Sequence, residues 1–347
     1  MKQEEIDEMY MRRCLQLAAN GEQLAKPNPM VGAVIVSNEG RIIGEGYHVR
    51  CGEGHAEVNA FASVRPEDEA LLATSTLYVS LEPCSHHGKT PPCADLIIRK
   101  GVKRVVCGCI DPFSEVQGRG IQRIQAAGIE VTVGVLEREC LEINRKFITF
   151  NTHKHPYIIL KWAQSKNGKI GHTYLLSSEK EQTETADNGK AYEALRLSTP
   201  FTKMLVHKLR AENDAILVGR ITEELEHPQL NVREWSGPSP QKIVLSSSLP
   251  VSSVPSESSV LPTPLVFSSI ESLLNDLYER KLQSLIVEGG ASVLQSFIDK
   301  RLWDEIRVET APFIVANGID APVLPENIRI AETVNYGNTI ITYKPED

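Results

Sequence analysis

Apolar residues recur at helical spacing where the chain opens, at Ile6, Met9, Cys14, Leu15 and Leu17, and predict an amphipathic helix whose pattern stops at Pro27-Asn28-Pro29. Residues 31–36 form a continuous apolar run of strand length, with Gly32 allowing close backbone approach. Ser37-Asn38-Glu39-Gly40 predicts a hairpin turn into a second strand over residues 41–48. The pattern then alternates: helix 55–63, strand 77–81, helix 93–100, strand 104–110, helix 117–127 ended by Gly128, strand 130–135, and a long helix over 137–150. Strands of buried type interleaved with helices predict a layered α/β domain.

His153-Lys154-His155-Pro156 has the polarity of a connector, and a new strand begins at 157–163. Asn167-Gly168-Lys169 predicts a turn and residues 180–190 an exposed loop. Pro200 opens a helix carrying Phe201, Leu205, Leu209 and Arg210, and a strand follows over 215–219. The serine- and proline-rich stretch 236–269 contains short apolar runs at 242–245 and 265–268, which predict two buried strands joined by a long loop. A helix over 270–282 and a strand over 284–287 lead into Glu288-Gly289-Gly290 and another helix from 291 to 297. With 347 residues the chain exceeds a single ordinary core, so two domains are expected, 1–150 and 156–347.

Composition narrows the class of function. At 41% apolar and 24% charged the chain is an ordinary globular protein, and its net charge of −8 argues against nucleic acid as a partner. All seven cysteines lie between Cys14 and Cys140, and the amphipathic N-terminus lacks an apolar signal core. Reduced thiols, a cytoplasmic location and metal binding are therefore expected. No apolar run approaches the roughly 20 residues that span a bilayer, so no membrane is expected as a partner.

The chemistry concentrates between His55 and Cys93. One imidazole and two thiols, His55, Cys84 and Cys93, suit zinc, and three protein ligands leave the fourth position of the tetrahedron open, as in catalytic sites. Zinc so held lowers the pKa of a water from about 16 to about 7. Glu57, two residues after His55, is placed to relay protons, and a position in the first turn of a helix predicts that the dipole favours its carboxylate form. His-x-Glu followed by Pro-Cys and a second cysteine is the pattern of zinc-dependent base deaminases, with eight residues between the cysteines here rather than two. A closed structural zinc site would need a fourth ligand from Cys51, His86 or His87. Lys89, in the insertion between the cysteines, reads from spacing as a solvated lysine or as one projecting over the pocket. In the second half, a strand, two glycines and a helix N-terminus present backbone N–H groups suited to a phosphate, although glycine pairs commonly only make turns.

GHAEVNAF, TLYVSLEPCSHHGKTPPCADLIIRKGVKRVV and GCIDPF resemble the deaminase half of the bifunctional riboflavin-biosynthesis deaminase–reductase family, in which the longer cysteine spacing is the family's own variant. LKWAQSKNGKI, HKLRAENDAILVGRITEELEHPQLNVR and LIVEGGASVLQSF resemble its reductase half. The resemblance implies a cytidine-deaminase-like α/β/α domain followed by a dihydrofolate-reductase-like α/β domain. It implies zinc on His55, Cys84 and Cys93, with Glu57 as proton donor and acceptor in hydrolytic deamination of a diaminopyrimidinone ribosylamine 5-phosphate. Asn28, His48, Lys89 and Asp111 match substrate contacts there, Lys89 as a point charge for the phosphate. The resemblance further implies that NADPH then reduces the opened ribose at C1. Gln164, Thr222, Glu226 and the run Gly290, Ala291, Ser292, Val293, Leu294, Gln295, Ser296 match cofactor contacts. Lys161, Arg210, Leu230, Arg233 and Glu288 match substrate-side positions, the two arginines suiting a sugar phosphate. The chain departs from the family at Arg196, where a tryptophan is usual, at Glu226, where an aspartate is usual, and in a long segment 171–197. Small-molecule substrates and a homo-oligomer are expected. Two competing readings are a non-catalytic C-terminal oligomerisation or ligand-binding module, and a deaminase acting on nucleic-acid bases.

Overall fold

The computed structural model describes residues 2–85, 91–112, 117–171, 175–176, 190–191, 195–246 and 264–346. The chain divides into two compact units, Met1–Lys154 and His155–Asp347.

The first unit is a five-stranded sheet in the order β2-β1-β3-β4-β5, with β1 Gly32–Val36, β2 Ile42–Tyr47, β3 Thr76–Leu81, β4 Arg104–Cys109 and β5 Glu130–Val133. β1 runs antiparallel to β2 and β3, whereas β3, β4 and β5 are parallel. The strands read as continuous apolar runs because both faces are covered. Ala33, Ile35, Leu77, Val79 and Val105 pack beneath α2 (Ala56–Ala62), α3 (Cys93–Lys100) and α4 (Arg119–Ala126). Val34, Val36, Tyr78 and Val106, one residue out of phase, pack on Tyr10, Met11, Cys14 and Leu17 of α1 (Gln3–Ala19). This is the expected cytidine-deaminase-like layering. A Cβ on Gly32 would run into the Cys14 carbonyl oxygen, so glycine there sets the distance between α1 and the sheet.

Two local expectations are corrected. Met9 is 44% exposed and the buried stripe of α1 runs through Tyr10 and Met11 instead. The single helix expected over 137–150 is two, α5 (Glu137–Ile143) and α6 (Arg145–His153). Asn144 breaks it: its buried amide accepts from the Met30 N–H at 2.8 Å and donates to the Met30 carbonyl at 2.9 Å. A side chain that satisfies a distant backbone segment holds its own backbone out of helix, which helical periodicity does not register.

The second unit is an eight-stranded sheet in the order Leu265–Phe267, Gln241–Leu245, Ala215–Gly219, Ser284–Val287, Tyr157–Gln164, Glu305–Thr310, Asn338–Pro345, Ile328–Tyr336. The first six are parallel neighbours and the last two add antiparallel at one edge. Ile158, Leu160, Leu217, Leu285 and Val287 face Leu273, Leu277, Leu294 and Phe297 from two helices; Ile159, Ile216, Val218 and Ile286 face Leu209 and Leu230. This is the expected dihydrofolate-reductase-like architecture. Both strands expected within 236–269 form, but Leu265–Phe267 lies at the sheet edge and is only half-buried. The closing hairpin, Ile328–Tyr336 with Asn338–Pro345, carries little apolar alternation and is legible only in the fold. No described helix is long and apolar enough to cross a membrane.

Candidate functional site

His55 caps the N-terminus of α2, Cys84 follows the carboxyl end of β3, and Cys93 opens α3. These three junctions meet. His55 Nδ1 lies 3.5 Å from Cys84 Sγ and 3.3 Å from Cys93 Sγ, and all three ligand atoms fall within 4.8 Å of one another. A tetrahedron with bonds of about 2.0 Å to nitrogen and about 2.3 Å to sulfur has N···S edges of about 3.5 Å, so the donors fit zinc in kind and in spacing. The Cys93 N–H, at the free end of α3, donates to Cys84 Sγ at 3.3 Å. The hydrogen bond from the Cys93 thiol, outweighing burial and aided by His55, pulls the Cys84 thiol below its ordinary range. The same contact and burial push Cys93 upward. Two thiols this close share a proton readily, and a divalent cation is what would hold both as thiolates.

Glu57 lies in the first turn of α2, 3% exposed. Burial pushes its carboxyl up to about 7, overriding the backbone hydrogen bond that lowers it. The carboxylate-favouring effect expected from the helix dipole is therefore outweighed. A carboxyl near neutrality suits a group that must both take and give a proton.

His55, Glu57 and Cys84 line a cavity of about 290 Å³ together with Asn28, His48 and Asp111; Cys93 is buried and does not line it. His48 Nδ1 lies 3.1 Å from the Gly54 carbonyl, which accepts only, so Nδ1 carries the proton. Nε2 then accepts from Asn28 Nδ2 at 3.0 Å. Burial lowers the His48 pKa, and the ring is a fixed neutral element. Lys89 lies outside the described residues, as do His86 and His87.

Sequence reasoning missed Phe147 and Asn151 of α6, which also line the cavity, and Glu82. The buried Glu82 carboxylate accepts from the backbone N–H of Gly118 and Gly120 at 2.8 Å each and of Asp111 at 3.3 Å. It ties the segment after β4 to the end of β3, and so places Asp111. Nothing in periodicity marks a glutamate whose partners lie about thirty residues away.

The second unit holds a cavity of about 1260 Å³ lined by Lys161, Arg210, Arg233, Glu288, Thr222, Glu226, Gly290, Ala291 and Ser292 from the expected set, and by Arg196. Gly290 caps the helix Ala291–Asp299 with its side of the cavity facing Thr222: a Cβ built there would lie 3.7 Å from Thr222 Oγ1. A glycine-capped helix N-terminus of nine residues with a hydroxyl beside it fits the phosphates of a dinucleotide. Burial raises Glu288, but the charges of Lys161 and Arg210 overcome it and hold its carboxyl below the usual range.

Other expected residues serve the scaffold. Leu294 is fully buried in the core, and Leu230 packs beneath Ile159 and Ile216. Gln164 accepts from Trp162 Nε1 at 2.8 Å, Gln295 accepts the Val323 N–H, and Ser296 Oγ donates to the Val293 carbonyl. Val293 packs where a Cβ on Gly219 or Gly289 would sit. None of these six lines the cavity among the described residues.

Residues 4–109 match the family model of the cytidine and deoxycytidylate deaminase zinc-binding region, and residues 156–341 match that of the RibD C-terminal domain. The chain is 36% identical to riboflavin biosynthesis protein RibD of Aquifex aeolicus, over 91% of this chain and 89% of that protein. It is 35% identical to its counterpart of the same name in Bacillus amyloliquefaciens, over 92% and 88%. Among solved structures, the diaminohydroxyphosphoribosylaminopyrimidine deaminase/5-amino-6-(5-phosphoribosylamino)uracil reductase of Thermotoga maritima superposes with a TM-score of 0.84 at 33% identity, over 99% of this chain and 100% of that one. RibD of Acinetobacter baumannii superposes at 0.82 with 26% identity, over 99% and 100%.

Proposed function

The chain belongs to the family of the riboflavin biosynthesis protein RibD, and from that premise we propose how its own side chains divide the two reactions of a bifunctional deaminase and reductase. The first unit uses zinc and the second NADPH.

In the first reaction the pyrimidine of a ribosylamine phosphate enters the cavity beside His55, Cys84 and Cys93, with Asn28, neutral His48 and Asp111 fixing the ring. Zinc on those three residues supplies a water that is nucleophilic at neutral pH. The Glu57 carboxylate oxygen would take a proton from the attacking water as its oxygen bonds to the ring carbon bearing the amine, and would pass that proton to the amine nitrogen. The C–N bond then breaks to release ammonia, and loss of the remaining hydroxyl proton leaves the carbonyl. Lys89 is assigned to the substrate phosphate by its match to the family pattern. The single observation that carries this reading is the convergence of His55, Cys84 and Cys93 beside a cavity that His55, Cys84 and Glu57 line. Metal analysis with an assay of ammonia release from the diaminopyrimidine phosphate tests it; a metal-free protein fully active in a strong chelator overturns it.

In the second reaction Thr222, Glu226, Gly290, Ala291 and Ser292 line the cofactor side, and Lys161, Arg210, Arg233 and Glu288 the substrate side. Gln164, Leu230, Val293, Leu294, Gln295 and Ser296 act by shaping the walls. The nicotinamide supplies the hydride for C1 of the opened sugar, and the protein orients the two partners. A non-catalytic second unit is the weaker reading: Arg210 Nε and Glu288 Oε1 are buried without partners beside the cavity, and a purely structural module would pair such atoms. Loss of nicotinamide absorbance on adding the deaminated intermediate tests this half.

A homo-oligomer is supported by the exposed Ile330 (60%) on the edge strand Ile328–Tyr336. Thiol ligands, which need a reducing compartment, support a cytoplasmic location, and the acidic net charge supports small molecules rather than nucleic acid as substrates.

A further inference from the structure

Three donors converge on one carboxylate at the rim of the reductase cavity. Glu234 Oε1 lies 3.0 Å from Lys203 Nζ, 3.7 Å from His207 Nε2 and 3.9 Å from Arg233 Nε. Only the first is within hydrogen-bonding range. His207 is 1% exposed, its Nδ1 lies 3.3 Å from the Arg233 backbone nitrogen, and a backbone hydrogen bond to Asn231 also acts on the ring. Its Nε2 is buried without a hydrogen-bond partner. Burial, with the charges of Arg210 and Arg233, lowers the His207 pKa. The lining as a whole is cationic: Lys161, Arg196, Lys203, Arg210 and Arg233 against Glu226, Glu234 and Glu288.

Arg210 is already engaged by Glu288 at 2.6 Å. The exposed charge at this corner of the cavity is that of Lys203 and Arg233, half and two-fifths exposed, and both now face Glu234. A carboxylate offers one oxygen to this cluster and satisfies one donor well. A phosphate monoester offers three oxygens on a tetrahedron and can engage all three donors together. Glu234 sits on the loop between Arg233 and the strand Gln241–Leu245, 36% exposed, and can turn into water without unpacking any core.

We propose that Glu234 stands in the place of the substrate's phosphate group, to be displaced by it, and that Lys203 and His207 recognise that phosphate alongside Arg233. This rests on the reductase reading for the identity of the anion. It makes Lys203, His207 and Glu234 specificity-determining residues outside the set matched from the sequence.

The test is calorimetric titration of inorganic phosphate into the full-length protein saturated with NADPH. Glu234→Gln is expected to tighten phosphate binding by about threefold or more, the scale on which an exposed ion pair opposes a competitor. Lys203→Met is expected to weaken it by a similar factor. In turnover, Glu234→Gln is expected to lower KM for the phosphorylated intermediate by more than it changes kcat. An affinity for phosphate unchanged in Glu234→Gln overturns the proposal whatever Lys203→Met does. Phosphate sites elsewhere contribute equally in every variant and cancel in the comparison. Because binding is read without turnover, a protein that showed the expected affinities but oxidised no NADPH would overturn the reductase assignment and support the anion subsite.

Discussion

Arg210 donates from Nη2 to Glu288 Oε2 at 2.6 Å, with the two side chains 12% and 10% exposed. The pair joins the end of the helix Pro200–Ala211 to the carboxyl end of the strand Ser284–Val287, where the parallel sheet opens into the cavity. Its position explains how one arginine can be both a wall of the site and a strut of the fold. Glu288 Oε1 and Arg210 Nε are buried there without a hydrogen-bond partner.

Glu288→Gln leaves a buried guanidinium without its counter-charge, so it should destabilise the second unit by about 3 kcal/mol, measured by denaturant unfolding. NADPH oxidation should fall with it. A variant of wild-type stability would show that the pair is not buried in solution.

The same pair sets an acid dependence. The Glu288 carboxyl sits below its ordinary value of 4.5 in the folded protein, so its contribution is fully present above that value and is lost as pH falls through the folded one. Acid unfolding of the wild type should therefore be steeper below about pH 4.5 than that of Glu288→Gln. Parallel stability curves of the two proteins between pH 6 and pH 3, taken as round working limits for that window, would count against the linkage.

Glu57→Gln should keep its zinc and lose deamination by about a hundredfold or more, the range that general acid–base groups contribute. Reduction of the deaminated intermediate should be unchanged, because Glu57 belongs to the other unit. Near-wild-type ammonia release would remove Glu57 from the proton relay.

Cys84→Ser, or dialysis against a strong chelator, should empty the metal site, abolish deamination and lower the unfolding temperature of the first unit alone. Calorimetry with and without zinc would show whether one transition moves. If both moved equally, the metal would not be confined to the junction of α2, β3 and α3.

Glu82→Ala strips three backbone N–H groups, of Asp111, Gly118 and Gly120, of their acceptor. Each such loss costs about 1–3 kcal/mol where water cannot enter. The deaminase KM should rise more than kcat falls, since Asp111 is displaced while the zinc ligands are untouched. An unchanged KM would mean that Asp111 is held by other contacts.

The cluster of His55, Cys84 and Cys93 was legible because these residues lie at the ends of elements, and the local pattern marks element ends. His55 caps a helix, Cys84 ends a strand's exit and Cys93 starts the next helix. The reductase cavity was less so. Thr222, Arg233 and Gly290 matched a known pattern, but Lys203, His207 and Glu234 lie on a helix face and a loop whose composition reads as solvated surface. Glu57 stands in the first turn of its helix as expected, and burial by packed neighbours, which the local chain does not record, pushes its carboxyl up against the lowering effect of the helix end.

By itself the sequence determined the alternation of buried strands and helices, the candidate metal-ligating residues and the family, because each is written in short-range spacing and local motifs. Tertiary structure decided the rest. Strand order, the break at Asn144, the tie from Glu82 to Asp111 and the meeting of Lys203, His207 and Arg233 on Glu234 all join residues brought together only when the sheets close. Periodicity records which side of an element is buried; which distant group it is buried against depends on how the layers pack.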